Sequence, residues 1–135
     1  MNDPTAALIG RYYQAFNDRD HGAMLDLLTD DVVHDINQGG REVGREAFAH
    51  FLAHMDRCYE ERAVDLVVMA NPDGTRAAAE FVIEGRYLAS DAGFPVASRQ
   101  DYRLPVAALF EIREGRIARV STHYNVQDWL RQIGA

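Results

Sequence analysis

The alternation of apolar and polar positions divides this chain into a helical first half and a stranded second half. After Asp3-Pro4, an N-cap with proline at the first helical position, Leu8, Tyr12, Ala15 and Phe16 recur at helical spacing and predict one apolar stripe. "NDRD" (17–20) ends this helix, and Asp20 is placed to cap a short second one carrying Met24, Leu25 and Leu28. A strand over 32–36 leads into a polar, glycine-bearing loop. Gly44 then opens a third helix, with Val43 and Phe48 spaced as a hydrophobic staple. Phe48, Phe51, Leu52, Met55 and Tyr59 predict its buried face.

Beyond it the period shortens from about 3.6 residues to about 2. Strands are predicted over 62–70, 76–88, 100–112 and 116–125, with a closing amphipathic stretch over 126–133 that carries Trp129 and Ile133. "NPDG" and "REG" read as tight antiparallel turns, and the segment 89–98 as a longer loop. Phe81, Ile83, Gly85 and Tyr87 share one strand face, while Glu80, Val82, Glu84 and Arg86 share the other, the mark of a half-buried sheet. Gly85 on the apolar face leaves room where a side chain would stand, which predicts a cavity there. Helices grouped against an antiparallel sheet make an α+β fold, and no linker or repeat interrupts it, so 1–135 reads as a single domain.

Composition narrows the function. At 135 residues and 47% hydrophobic the chain can bury a core without staples. Its single cysteine, Cys58, excludes an intramolecular disulfide. No run approaches the roughly 18 apolar residues of a membrane span, and no signal-peptide pattern opens the chain, so a cytoplasmic protein with no membrane partner is expected. A net charge of −7 argues against nucleic acid. All 14 basic residues are arginine, which excludes Schiff-base chemistry by a lysine.

Candidate chemistry centres on Asp35, which follows Val32-Val33-His34 and precedes Ile36. It is either an ordinary strand-end acid or a general base at the mouth of a pocket, with its pKa raised by apolar surroundings. His34 and Asp35 alternate along the strand and must face opposite sides. Tyr12, on the first helix's buried stripe, either packs or donates a hydrogen bond. His50 and His54 stand four apart and Cys58 continues the spacing, but no third ligand of matching spacing accompanies them, and no metal is expected. "SDAGFPVASRQ" (90–100), carrying Phe94 and Pro95, is a pocket lid or a plain hairpin excursion.

The motifs "RYYQAFNDRD" (11–20), "LLTDDVVHDI" (27–36), "GREAF" (44–48) and "FEIREGRIARVSTHYN" (110–125), taken in this order, span nearly the whole chain. In them the chain resembles the nuclear-transport-factor-2-like superfamily, within it the ketosteroid isomerase and SnoaL-like polyketide cyclase branch. The resemblance implies a cone: a curved, mixed but mainly antiparallel sheet whose concave face, closed by three N-terminal helices, holds one deep apolar pocket. It implies a proton-transfer base at Asp35 and an oxyanion donor at Tyr12. The family's protonated acid falls near Ala108, which can neither donate nor ionise. The implied pocket takes Phe16, Phe51 and Met55 from the helices and Phe81, Ile83, Gly85, Tyr87, Ala108, Phe110, Val120, Thr122 and Tyr124 from the strands.

His123 would then lie on the outer sheet face, where relatives dimerise, and a homodimer through that face is expected. The implied function is acid–base proton transfer, of isomerase or cyclase type, on a small apolar carbonyl compound, with no metal or organic cofactor. A non-catalytic small-molecule binder is the alternative, and epoxide hydrolysis the third reading. Geometry discriminates: an enzyme is favoured if Asp35 and the Tyr12 hydroxyl both enter one enclosed cavity, a binder if either faces water.

Overall fold

A computed structural model describes residues 3–37 and 39–134. Helix α1 (Pro4–Asn17) begins where the Asp3 carboxylate accepts hydrogen bonds from the Thr5 and Ala6 amides. Its buried stripe includes Leu8, Tyr12 and Ala15 as the spacing predicts, joined by Ile9 and Tyr13. At its end the Asn17 amide donates to the Ala63 carbonyl (3.0 Å) and accepts from the Ala63 amide (2.8 Å), pinning the helix to strand β3 (Tyr59–Ala70). Helix α2 (His21–Asp26) is capped by Asp20.

Strand β1 (Leu28–Asp35) starts earlier than the apolar pattern suggests, because Leu28 already pairs with Ile117. The segment expected as pure loop contains a short strand, β2 (Arg41–Val43), antiparallel to the end of β1. Helix α3 (Arg45–Cys58) follows Gly44, whose φ of 104° lies in the region that favours glycine. Phe48 is buried but Val43 is 62% exposed, so the expected staple does not form; pairing in β2 directs Val43 outward.

Strands β4 (Arg76–Tyr87), β5 (Asp101–Arg113) and β6 (Arg116–Tyr124) complete the meander, and α4 (Val126–Gln132) closes it. The sheet order is β2-β1-β6-β5-β4-β3, antiparallel throughout except for the parallel β1–β6 pair. The architecture is a curved α+β cone, with a fourth helix beyond the three expected. Each long strand buries alternate residues on the concave side, for example Tyr102, Leu104, Val106, Ala108 and Phe110 along β5. The opposite face carries Val67, Met69 and Leu109 exposed. Trp129 of α4 packs against Tyr59, Tyr87 and Tyr102, plugging the end of the cone. Among the described residues no helix is long and apolar enough to cross a membrane.

Candidate functional site

Between α1, α3 and the concave face lies a cavity of about 360 Å³. The helices contribute Tyr12, Tyr13, Phe16, Phe51 and Met55, and the strands Phe81, Ile83, Val106, Val120, Thr122 and Tyr124. Phe94 from the loop after β4 and Trp129 from α4 complete the wall, so that loop does reach the cavity. Against this apolar lining stand a few polar side chains: His34, Asn37, His54, Tyr59, Glu61 and Asp91. A mostly apolar concavity with few polar groups is what a small organic ligand requires. A second, open recess across β3–β5 is walled by charged residues such as Arg62, Glu84, Arg86 and Arg103, and Glu61 borders it as well.

The two neighbours on β1 divide as alternation demands, but in the opposite sense to the one the resemblance implies. His34 lines the cavity and Asp35 does not. Val32, fully buried, fixes the inward phase, and His34 follows it two residues on. The His34 ring centroid lies 4.8 Å from that of Phe48 and 4.5 Å from that of Phe51, and its Nδ1 is buried without a hydrogen-bond partner among the described residues. Burial drives its pKa down to about 4 in spite of the nearby Asp35 charge, so the imidazole is neutral at pH 7.

Asp35 is on the outer side. Arg41 donates to both carboxylate oxygens (2.7 and 3.0 Å), and Arg119 donates to one of them (2.8 Å). The hydrogen bond from Arg41, with that from Arg119, holds its carboxyl down to about 2. Such a group is a permanent anion in an ion-pair cluster, and the geometry expected of a pocket base is absent at Asp35.

Two carboxylates do line the cavity, Asp91 from the loop after β4 and Glu61 from β3. In register across the sheet, Glu61 lies opposite Gly85 and Gly85 opposite Tyr102. The Tyr102 ring crosses over Gly85, where any Cβ would overlap it, and its hydroxyl donates to Glu61 Oε2 at 2.5 Å. The space above Gly85 is therefore filled by a ring, and this residue does not line the cavity as expected. Burial pushes the Glu61 carboxyl up, opposed by the Tyr102 hydrogen bond and the Arg19 charge. The signal for Glu61 was present in the alternation of Tyr59, Glu61 and Ala63. It was hidden because β3 begins at Tyr59, directly after α3, where the sequence pattern assigns Tyr59 to the helix.

Three other expected pocket residues, Tyr87, Ala108 and Phe110, lie in the packed core and not on the cavity wall. They point to the concave side, but other side chains cover them. Tyr87 accepts from the Asp91 amide (2.8 Å) and donates to the Pro95 carbonyl (2.7 Å), tying down the 89–98 loop. Phe110 supports the Tyr12 ring edge-on at 5.9 Å between centroids. Tyr12 itself lines the cavity, and burial raises its pKa, keeping the hydroxyl protonated. Asn37 accepts from the Tyr124 amide (3.3 Å), which orients its carboxamide, and its Nδ2 is buried without a partner among the described residues. On the outer face, His123 shares a 2.8 Å hydrogen bond with Ser121.

A largely apolar cavity inside a curved sheet, with a half-buried carboxylate and a neutral histidine on its wall, places the chain among α+β cones. The chain belongs to the SnoaL-like domain family, whose model matches residues 9–120. The solved structure of a candidate polyketide cyclase from Pseudomonas putida is 51% identical, covering 98% of this chain and 100% of that one, with a TM-score of 0.96. A second candidate polyketide cyclase, from Silicibacter, is 48% identical over 97% of this chain and 96% of that one, with a TM-score of 0.95. A nuclear-transport-factor-2-like protein of Burkholderia pseudomallei, 17% identical over 99% and 100% of the two chains, shares the fold with a TM-score of 0.81. A search of curated proteins returned no match.

Proposed function

We propose that the chain catalyses acid–base proton transfer, of isomerase or cyclase type, on a small apolar carbonyl compound held in the cavity. Glu61 carries the reading: a carboxylate on an apolar cavity wall, with its pKa raised by burial toward the range where it exchanges protons with carbon acids. As base it removes a proton from the carbon beside the carbonyl, and the electron pair passes to the carbonyl oxygen. The enolate is then reprotonated at another carbon, or its carbon attacks a second carbonyl. Asn37, the neutral His34 and the protonated Tyr12 supply hydrogen-bond donors elsewhere around the same cavity. Fixed donors of this kind stabilise a developing oxyanion most where water is excluded. The names of the two closely similar bacterial structures are consistent with this chemistry.

The test is solvent-deuterium exchange into cyclic ketones and 1,3-diketone polyketide fragments, followed by mass spectrometry. The wild-type chain should accelerate exchange, and Glu61→Gln should slow it by about 10²–10⁴-fold while ligand binding persists. Saturable binding without any acceleration would establish the second reading, a non-catalytic carrier. That reading draws on Asp35 lying outside the cavity, the placement expected of a binder as far as Asp35 is concerned, and on Ala108 being buried without a polar group. Epoxide hydrolysis has the least support, since the described cavity residues include no arginine. The exposed apolar side chains Val67, Met69 and Leu109 suit pairing of two copies through the outer sheet face, and Met69→Glu should then yield monomers in sedimentation.

A further inference from the structure

We propose that His54, Cys58 and Asp91 bind a divalent transition-metal ion of the zinc class at the rim of the cavity. The sequence places His54 and Cys58 one turn apart on α3 but offers no third donor nearby; the fold brings Asp91 to them from the loop after β4. One ligand atom from each residue lies within 4.8 Å of the other two. A tetrahedral ion with bonds of about 2.0–2.3 Å holds its donors roughly 3.3–3.8 Å apart, so only small side-chain adjustments are needed. His54 Nε2 and Asp91 Oδ1, now 3.0 Å apart, would open slightly as the ion enters.

The surroundings fix these donors. The Leu88 and Ala89 amides donate to the Cys58 carbonyl (2.7 and 3.3 Å), fastening the start of the loop to the end of α3. The Tyr59 hydroxyl donates to Asp91 Oδ2 (2.7 Å), leaving Oδ1 for the ion, which is the outer support that ligating carboxylates require. A thiolate, an imidazole and a carboxylate together select zinc, cobalt or nickel over calcium and magnesium, which take oxygen donors. His54 and Asp91 line the cavity while Cys58 is buried behind them, so the fourth coordination position opens toward the ligand space.

Binding releases one proton, from the Cys58 thiol. His54 must present an unprotonated Nε2 to the ion, which replaces its present contact with Asp91. Without an ion, the His54–Asp91–Tyr59 bonds merely tie down a loop, and experiment separates the two roles.

Chelator-stripped protein is titrated with cobalt(II) and its absorbance followed, with no substrate present, so the result is independent of the proton-transfer reading. One saturating equivalent should give a thiolate-to-cobalt charge-transfer band and tetrahedral d–d absorption, both removed by zinc. Cys58→Ser should abolish the charge-transfer band, and Asp91→Asn should weaken binding by at least about tenfold. His50→Gln, an exposed change one turn away, should leave the titration unaltered. If Cys58→Ser fails to fold by circular dichroism, His54→Gln at the partly exposed rim should instead weaken cobalt binding by at least about tenfold. Absence of a saturable charge-transfer band, or a titration unchanged in Asp91→Asn, overturns the site.

Discussion

Asp35 and Glu61 are both strand carboxylates, and the sheet gives them opposite chemistry. Asp35 lies on the outer side between Arg41 and Arg119, with its carboxyl held down to about 2. Glu61 lies on the concave side among aromatic rings, with its carboxyl pushed up by burial. Motif position would rank Asp35 first, but the face of the sheet reverses the ranking. A carboxylate works as a base near neutral pH only where its charged form is somewhat disfavoured, and two guanidinium partners do the opposite.

The comparison breaks or holds first on rate. Glu61→Gln should reduce proton exchange by the 10²–10⁴-fold expected for loss of a positioned base, whereas Asp35→Asn should leave it within a few-fold. The reverse order would return the catalytic role to Asp35 and would require Arg41 to swing away.

The next effect is on stability against pH. His34 has an ordinary pKa of 6.5 and a folded value of about 4. Between these values the unfolded chain binds the proton that the folded chain refuses, so stability falls as pH drops through the window. The full loss is on the order of 3 kcal/mol. Denaturation midpoints measured from pH 7 to pH 4 should show it, and His34→Phe, which keeps the aromatic packing with Phe48 and Phe51, should flatten the curve.

How far the sequence went follows from the same alternation. The period-two pattern located β4, β5 and β6 to within a residue or two and placed Phe81 and Ile83 inward, because charges and apolar residues separate cleanly along those strands. In β1 the pattern is ambiguous, since Val32 and Val33 are both apolar and either phase is plausible locally. Only pairing with β6, where His34 faces Val120 and Asp35 faces Ser121, decides between them. The site at Asp91 was beyond reach for a different reason. It depends on a loop folding back on α3 through backbone hydrogen bonds, which leave no trace in residue type.

A smaller effect tests the row that holds Glu61. Gly85→Ala would drive a Cβ into the Tyr102 ring, displacing the hydroxyl from Glu61. Overpacking of this kind costs about 1–3 kcal/mol, readable by urea denaturation. Because the Tyr102 bond lowers the Glu61 pKa, its loss should also shift the acid limb of any pH–rate profile upward. Tyr102→Phe should reproduce the pH shift without the steric clash.

The smallest expected effect is the loss of the outer ion pair on stability. The Arg41 side chain is 59% exposed and that of Asp35 is 23% exposed, so solvent screens the Arg41 contact. Arg119 keeps a second acidic neighbour, Glu111, at 3.5 Å when Asp35 is replaced. Asp35→Asn should therefore cost no more than about 1 kcal/mol at pH 7, and less in molar salt. The folded pKa of Asp35 lies below its ordinary 3.8, so its contribution is present above that value and fades as pH falls toward 2. Wild type and Asp35→Asn should thus converge in stability in that acid window, below the one where His34 acts. A loss that persisted at high salt or at pH 2 would mean that Asp35 organises the β1–β6 junction by more than charge.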